Sequence, residues 1–286
     1  MKMHTNKTMK LAVVTFLGIS LAAAGSAVAG RGSSPQAVQL AIQSGSPDAI
    51  KSELERAEHL VCMSCVDLVR TLVDNQDEGI RQVAAWWLAR RGVARDVRVE
   101  MLTRLSQPDS VAARNAADVL GEMHAPSSIP ALSAAMTNPA FSSEARAHMA
   151  QALGKISRPQ VVAPLTGVLS GDDAVVKVAA MKALQGIAGL RDGSAVSPLL
   201  GDSEANVRAE AATTLGAFHD ANGTAGLVSA LQNDVSPIVR KRAAWALGEV
   251  HASASVAGPA LQSAASNDAS PFVRSLASAA LTRLSR

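Results

Sequence analysis

DSEANVRAEAATTLGAFH at residues 202–219 and DVSPIVRKRAAWALGEVH at residues 234–251 are two copies of one unit, 32 positions apart. Each has an acidic start, a basic residue (Arg208 or Arg240) and, seven positions later, a leucine (Leu215 or Leu247). Towards the N-terminus the same pair returns as Lys177 with Leu184, Arg146 with Leu153 and Arg81 with Leu88. Towards the C-terminus it returns as Arg274 with Leu281, and Leu120 holds the remaining leucine slot. Successive leucines lie 32, 33, 31, 31, 32 and 34 residues apart. A period of that length belongs to a solenoid of stacked helix pairs.

The columns of this repeat carry distinct physical tasks. Four positions before each leucine stands Ala84, Ala116, Met149, Ala180, Ala211, Ala243 or Ala277. Residues four apart share a helix face, so these two columns form the buried stripe of a first helix. Asp or Ser opens each unit as a helix N-cap, and Pro237 and Pro271 fall where a first turn tolerates proline. Gly121, Gly154, Gly216 and Gly248 directly follow a leucine. A short turn then leads into a second apolar stretch, at 126–138, 159–171, 193–201, 221–233 and 252–267. Each is predicted as a second helix of about two to three turns.

The sequence has three Trp, four Phe and no Tyr, so the core must be built from Ala, Leu, Val and Ile. That composition suits closely spaced helices and predicts an all-α fold. Residues 34–74 depart from the repeat, with helices predicted at Pro35–Gln43, Asp48–Glu58 and from Cys62 to Val73, and read as an end cap covering the first apolar face. The expected organisation is a leader at 1–29, an N-terminal helical cap with a CxxC pair at 30–74, and repeats from 75 to 286, with the last unit stopping after its first helix.

The pattern D..VR..AA.ALG.I, present here as DSEANVRAEAATTLGAF and DVSPIVRKRAAWALGEV, resembles the HEAT-repeat family, in its short PBS-lyase HEAT-like form. The resemblance spans about residues 75 to 286 and seven units. It implies a right-handed α-solenoid that binds another protein along a curved surface, with the second helices lining the concave side. A minority of such proteins attach bilins or hydroxylate substrates. The metal-dependent hydroxylases among them carry paired His-Glu steps, and no His-Glu dipeptide occurs in this chain.

Lys2, Lys7 and Lys10 precede an apolar run from Leu11 to Ala24 and the small-residue site Ala27-Val28-Ala29. This reads as a secretory signal peptide cut after Ala29, the run being shorter than the roughly 20 residues of a spanning helix. Its removal takes three of the 27 basic residues and no acidic one, leaving 24 of each sign. The basic excess therefore lies in the leader, which argues against nucleic acid or an anionic membrane as partner. The second apolar stretches point the same way. They contain no Asp, Glu, Lys or Arg and cannot neutralise phosphates. They either form a neutral groove for a protein segment or are short helices sunk in the core.

Trp86 and Trp245 share a column two positions before the leucine, beside Asp118, Gln151, Lys182 and Thr213. That column is expected to face water, making both tryptophans partner-binding candidates, with local gap-filling as the alternative. Trp87 falls in a packing column. Cys62 and Cys65 are the only cysteines, at the start of a predicted helix. Four readings fit them: a structural disulfide, a redox-active pair, a soft metal site with His59 and Met63, and covalent haem, for which Val66 stands where histidine is needed. His124, His219 and His251 each follow a leucine by four positions. Equivalent atoms of neighbouring repeats lie about 10 Å apart, too far to share an ion, so a role at helix C-termini is expected. No GxSxG, HExxH or GxxxxGK motif occurs, and no catalytic residue or cofactor is expected. The expectation is an exported, non-enzymatic scaffold. An accessory protein using Cys62 and Cys65, or a lyase-type enzyme, is the alternative.

Overall fold

The computed structural model describes residues 32–171, 173–250 and 252–285. The leader at 1–29 and His251 lie outside the described residues. Among the described residues there are fifteen α-helices and no strand. The first three are α1 (Pro35–Ser44), α2 (Pro47–Arg56) and α3 (Met63–Thr71), close to the expected cap helices. Then follow α4 (Glu78–Ala89), α5 (Ala94–Leu105), α6 (Ser110–Glu122), α7 (Ile129–Thr137), α8 (Ser143–Ile156), α9 (Val162–Gly167) and α10 (Ala174–Gln185). The last five are α11 (Ala205–Phe218), α12 (Thr224–Asn233), α13 (Pro237–Glu249), α14 (Ala254–Asn267) and α15 (Pro271–Leu284).

The first helices α4, α6, α8, α10, α11, α13 and α15 pack each on the next and form one layer. The second helices form the other layer, with α5 against α7 and α12 against α14. Leu88, Leu120, Leu153, Leu184, Leu215 and Leu247 are fully buried, as is the column of Ala84, Ala116, Met149, Ala180, Ala211, Ala243 and Ala277. Leu281, in the last unit, is only partly covered. Small residues let adjacent first helices approach closely. A Cβ on Gly154 would stand 2.9 Å from Ala183 Cα, and one on Gly216 would stand 3.0 Å from Ala246 Cα. Only glycine leaves room for the neighbouring backbone at those crossings.

The basic column joins the repeats. Arg208 pairs with Asp234 at 2.7 Å, Arg240 with Asp268 at 2.8 Å, Lys177 with Asp202 at 2.7 Å and Arg146 with Asp173 at 3.3 Å. Each partner opens the following unit. Arg81 pairs instead with Asp118, within α6, and that pair is buried. The guanidinium also faces its own unit: Arg240 donates to the Asp234 carbonyl at 2.9 Å and Arg208 to the Asp202 carbonyl at 2.8 Å. The carboxylate is shared too, since Asp234 Oδ1 and Asp268 Oδ1 accept the backbone N–H two residues on, both at 2.8 Å.

Two second segments differ from expectation. Residues 193–201 form only a five-residue 3₁₀ turn, Ser197–Gly201, and 159–171 splits into a six-residue α9 flanked by two 3₁₀ turns. Pro198, Pro164 and Gly167 lie inside these stretches. Proline withholds a helix donor and glycine adds backbone entropy, which breaks up these short segments, although the longer α14 accommodates Gly258 and Pro259.

Candidate interaction surface

The second helices are not sunk in the core. α7 exposes Pro130, Ala134 and Thr137, α12 exposes Ala225, Ser229 and Gln232, and α14 exposes Gln262, Ser263 and Ser266. The outer faces of α7, α12 and α14 are thus open and uncharged, whereas α5, in the same layer, exposes Arg95 and Asp96. Clefts lie between successive segments at their C-terminal ends. One of about 340 Å³ separates α12 from α14 and is lined by Gln232, Asn233, Ser263 and Asn267. A second of about 350 Å³, between Ser197–Gly201 and α12, shares Asn233 and adds Ser229. A third of about 300 Å³, between α5 and α7, is lined by Asn138. Asn138, Asn233 and Asn267 hold equivalent places where a second helix ends. Sequence reading missed this column, although aligning the second stretches on their final residues would have shown it.

The other candidates separate. Trp245 is half-buried, and its ring edge stands 2.6 Å from where a Gly216 Cβ would be, so it fills a gap against the preceding repeat. Trp86 is also half-buried, with the Arg90 guanidinium 4.3 Å above its ring. It lines a groove of about 560 Å³ with Lys51, Glu55, Glu58 and Val83. Their column does not uniformly face water, because Asp118 in it is buried under Arg81 and His148. Trp87 is fully buried and donates its ring N–H to the Ala57 carbonyl at 3.0 Å.

Cys62 and Cys65 are joined in a disulfide, with Cα atoms 5.3 Å apart. While that bond stands, neither sulfur is available as a thiolate ligand. His59 is 94% exposed and, among the described residues, reaches only Glu58, at 3.9 Å. Beside the disulfide opens a cavity of about 620 Å³, lined by His59, Val61, Cys62, Met63, Arg90 and Arg91 among others. Burial pulls the Arg91 guanidinium below its ordinary pKa, and the neighbouring Arg90 charge adds to that.

Glu78, Asp118 and His148 bring one possible ligand atom each within 4.8 Å of the others. Both oxygens of Asp118 are engaged, Oδ2 by Arg81 Nε at 2.8 Å and Oδ1 by His148 Nδ1 at 2.6 Å. Glu78 accepts from Gln82. Arg81 already supplies the cation, so these contacts make an ion-pair network across α4, α6 and α8. Two of the turn histidines, His124 and His219, bond the last turn of the next repeat's first helix. His124 Nδ1 meets the Lys155 carbonyl at 2.7 Å and His219 Nδ1 meets the Glu249 carbonyl at 2.6 Å.

The family model for HEAT repeats matches residues 96–185 and 194–282, well over half of the chain. The chain belongs to the HEAT-repeat family. Among solved structures, this HEAT-repeat chain is similar to Escherichia coli YibA, at 16% identity over 88% of this chain and 93% of that one, with a TM-score of 0.54. It is also similar to an engineered protein at 23% identity, covering 87% of this chain and 73% of that one, with a TM-score of 0.52. The complex of CpcE and CpcF of phycocyanin lyase from Nostoc sp. PCC7120 is a more distant likeness, at 19% identity over 77% of this chain and 94% of that one, with a TM-score of 0.42. These likenesses speak to the fold alone. No curated protein matches the chain. Among the described residues, no helix is long and apolar enough to cross a membrane.

Proposed function

We propose that this HEAT-repeat chain is an exported scaffold that performs no chemistry in its repeats and holds an extended segment of another protein along the uncharged face of its second helices. One observation carries the reading: consecutive clefts on that face share Asn233 and are lined by amide and hydroxyl side chains, together with Asp234 and Asp268, whose charges are already paired with Arg208 and Arg240. Asn and Gln each offer two donors and an acceptor, the complement of a peptide backbone. An uncharged face also leaves few charges to desolvate when a partner settles on it. Export is supported by the leader-like sequence at 1–29 and by a disulfide, which persists in oxidising compartments.

A photo-crosslinking residue placed at Ser229 or Ser263 tests this in the native host. Both positions should capture the same protein, while Arg242, exposed on first helix α13, should not. Replacing Asn233 and Asn267 together by Ala should weaken binding of the captured protein by about tenfold or more with the unfolding midpoint unchanged. Equal capture from Arg242, or undiminished affinity in the double variant, would remove the second-helix face as the site.

A further inference from the structure

The Cys62–Cys65 bond does little for the fold that holds it. It closes a loop of only four residues, and the chain-entropy gain of a cross-link is smallest for the shortest loops. The same turn is already fixed, because Cys62 is the N-cap of α3 and its Sγ accepts the Cys65 N–H at 3.1 Å. The two sulfurs differ in surroundings. Cys62 borders the 620 Å³ cavity and is 8% exposed, whereas Cys65 is 1% exposed and does not line it. On either side of Cys62 stand two of the most exposed large apolar residues among those described, Val61 at 93% and Met63 at 76%. Leu60, Val66 and Val93 continue the apolar lining.

From these contacts we infer that Cys62–Cys65 is a thiol–disulfide exchange site for an apolar peptide segment carrying two cysteines. The segment's first thiolate attacks Cys62 Sγ from the cavity. A sulfur–sulfur bond to the segment forms, the Cys62–Cys65 bond breaks, and Cys65 leaves as a thiolate that takes up a proton. The segment's second thiolate then attacks its own sulfur in the mixed disulfide and expels Cys62 as a thiolate. The segment gives up two electrons and two protons to become a disulfide, and the cysteine pair gains two electrons. The departing Cys62 thiolate sits at the N-terminus of α3, already bonded to an N–H of its first turn, and that position favours the charged sulfur. Val61 and Met63 supply the apolar surface for residues flanking the incoming cysteine.

The test uses the full oxidised protein and a short reduced peptide with two cysteines between valine and leucine residues. Peptide oxidation is followed by mass spectrometry against glutathione disulfide at equal concentration. The protein should act ~10-fold faster or more, and Val61→Asp and Met63→Asp, both outside the core, should each slow it by ~5-fold with unchanged circular dichroism. Offered a one-cysteine version of the peptide as its mixed disulfide with glutathione, Cys65→Ser should take the peptide onto Cys62 and release glutathione as a thiolate, while Cys62→Ser should take up little on Cys65. A wild-type rate no higher than that of glutathione disulfide, or indifference to both aspartate variants, would overturn the inference. It would leave the second-helix reading untouched, since neither assay involves that face.

Discussion

At the scale of single residues the repeats are held by aspartates doing two things at once. Asp268 has its carboxyl held below the ordinary aspartate value first by the Arg240 hydrogen bond, against burial, with the Ser270 N–H adding to it. For Asp234 and Asp202 burial is the largest influence and works in the raising direction, yet the Arg208 and Lys177 hydrogen bonds and the backbone donors outweigh it. A carboxyl whose folded pKa lies below its unfolded one stabilises the fold above the unfolded value and loses that contribution as pH falls through the folded value. Stability should therefore begin to decline as pH drops below about 5, where the carboxyls of the unfolded chain start to protonate, and keep declining until the lowered carboxyls of the folded chain have protonated as well. Asp268→Asn should lower the urea midpoint at neutral pH but flatten the decline, because one titrating rung is gone. Midpoints of wild type and variant at several pH values decide it. Parallel declines would mean that this rung does not govern acid stability.

At the scale of elements, first helices were legible in the sequence and second ones only in part. Arg–x₆–Leu spacing, the Ala column and the glycine after leucine are set by close packing between identical neighbours, so they recur and can be read. The second segments meet fewer constraints on their open side. Nothing in 193–201 beyond Pro198 and its flanking glycines distinguishes a 3₁₀ turn from a short helix. α5, with five charged residues in ARDVRVEMLTRL, escaped the apolar pattern altogether. At the candidate sites, the cysteine pair was visible as a motif. The cavity beside it was not, because the turn at 57–60 and the turn after α4 are joined through Arg91, 33 residues away from Glu58 in sequence. Helix starts also divide into two kinds. Asp109 caps α6 directly through Val111 and Ala112, whereas α11, α13 and α15 have no side-chain cap bond and rely on the preceding Asx turn. Asp109→Ala should accordingly cost about 1 kcal/mol, the usual loss for an N-cap. Asp234→Ala should cost more, since it removes a turn and an ion pair together. Chemical unfolding of both variants would show this, and equal losses would mean that the inter-repeat bond adds nothing.

At the scale of the whole molecule the α10–α11 junction departs from the pattern in both layers at once. Between α10 and α11 the glycine slot holds Gln185, whose amide extends to Glu210 at 2.7 Å and Thr214 at 2.8 Å. The second layer there is the five-residue turn Ser197–Gly201, and the rung is a lysine, Lys177, where the later repeats use an arginine bonded through two nitrogens. The HEAT model match breaks at the same place, between residues 185 and 194. In a repeat stack, stability is the sum of each unit and its contacts with its neighbours, so the weakest contact is where the array divides. Arg90 and Arg191 allow a comparison, for each is an exposed residue in the turn after a first helix, α4 and α10 respectively, and neither is followed by proline. At a urea concentration below the main transition, trypsin should cut after Arg191 well before it cuts after Arg90. Amides of α6 and α8 should still resist hydrogen exchange when those of α11 have begun to open. First cleavage after Arg90 would place the weak point elsewhere, and simultaneous loss of protection in α8 and α11 would show a stack that melts as one body despite the change at Gln185.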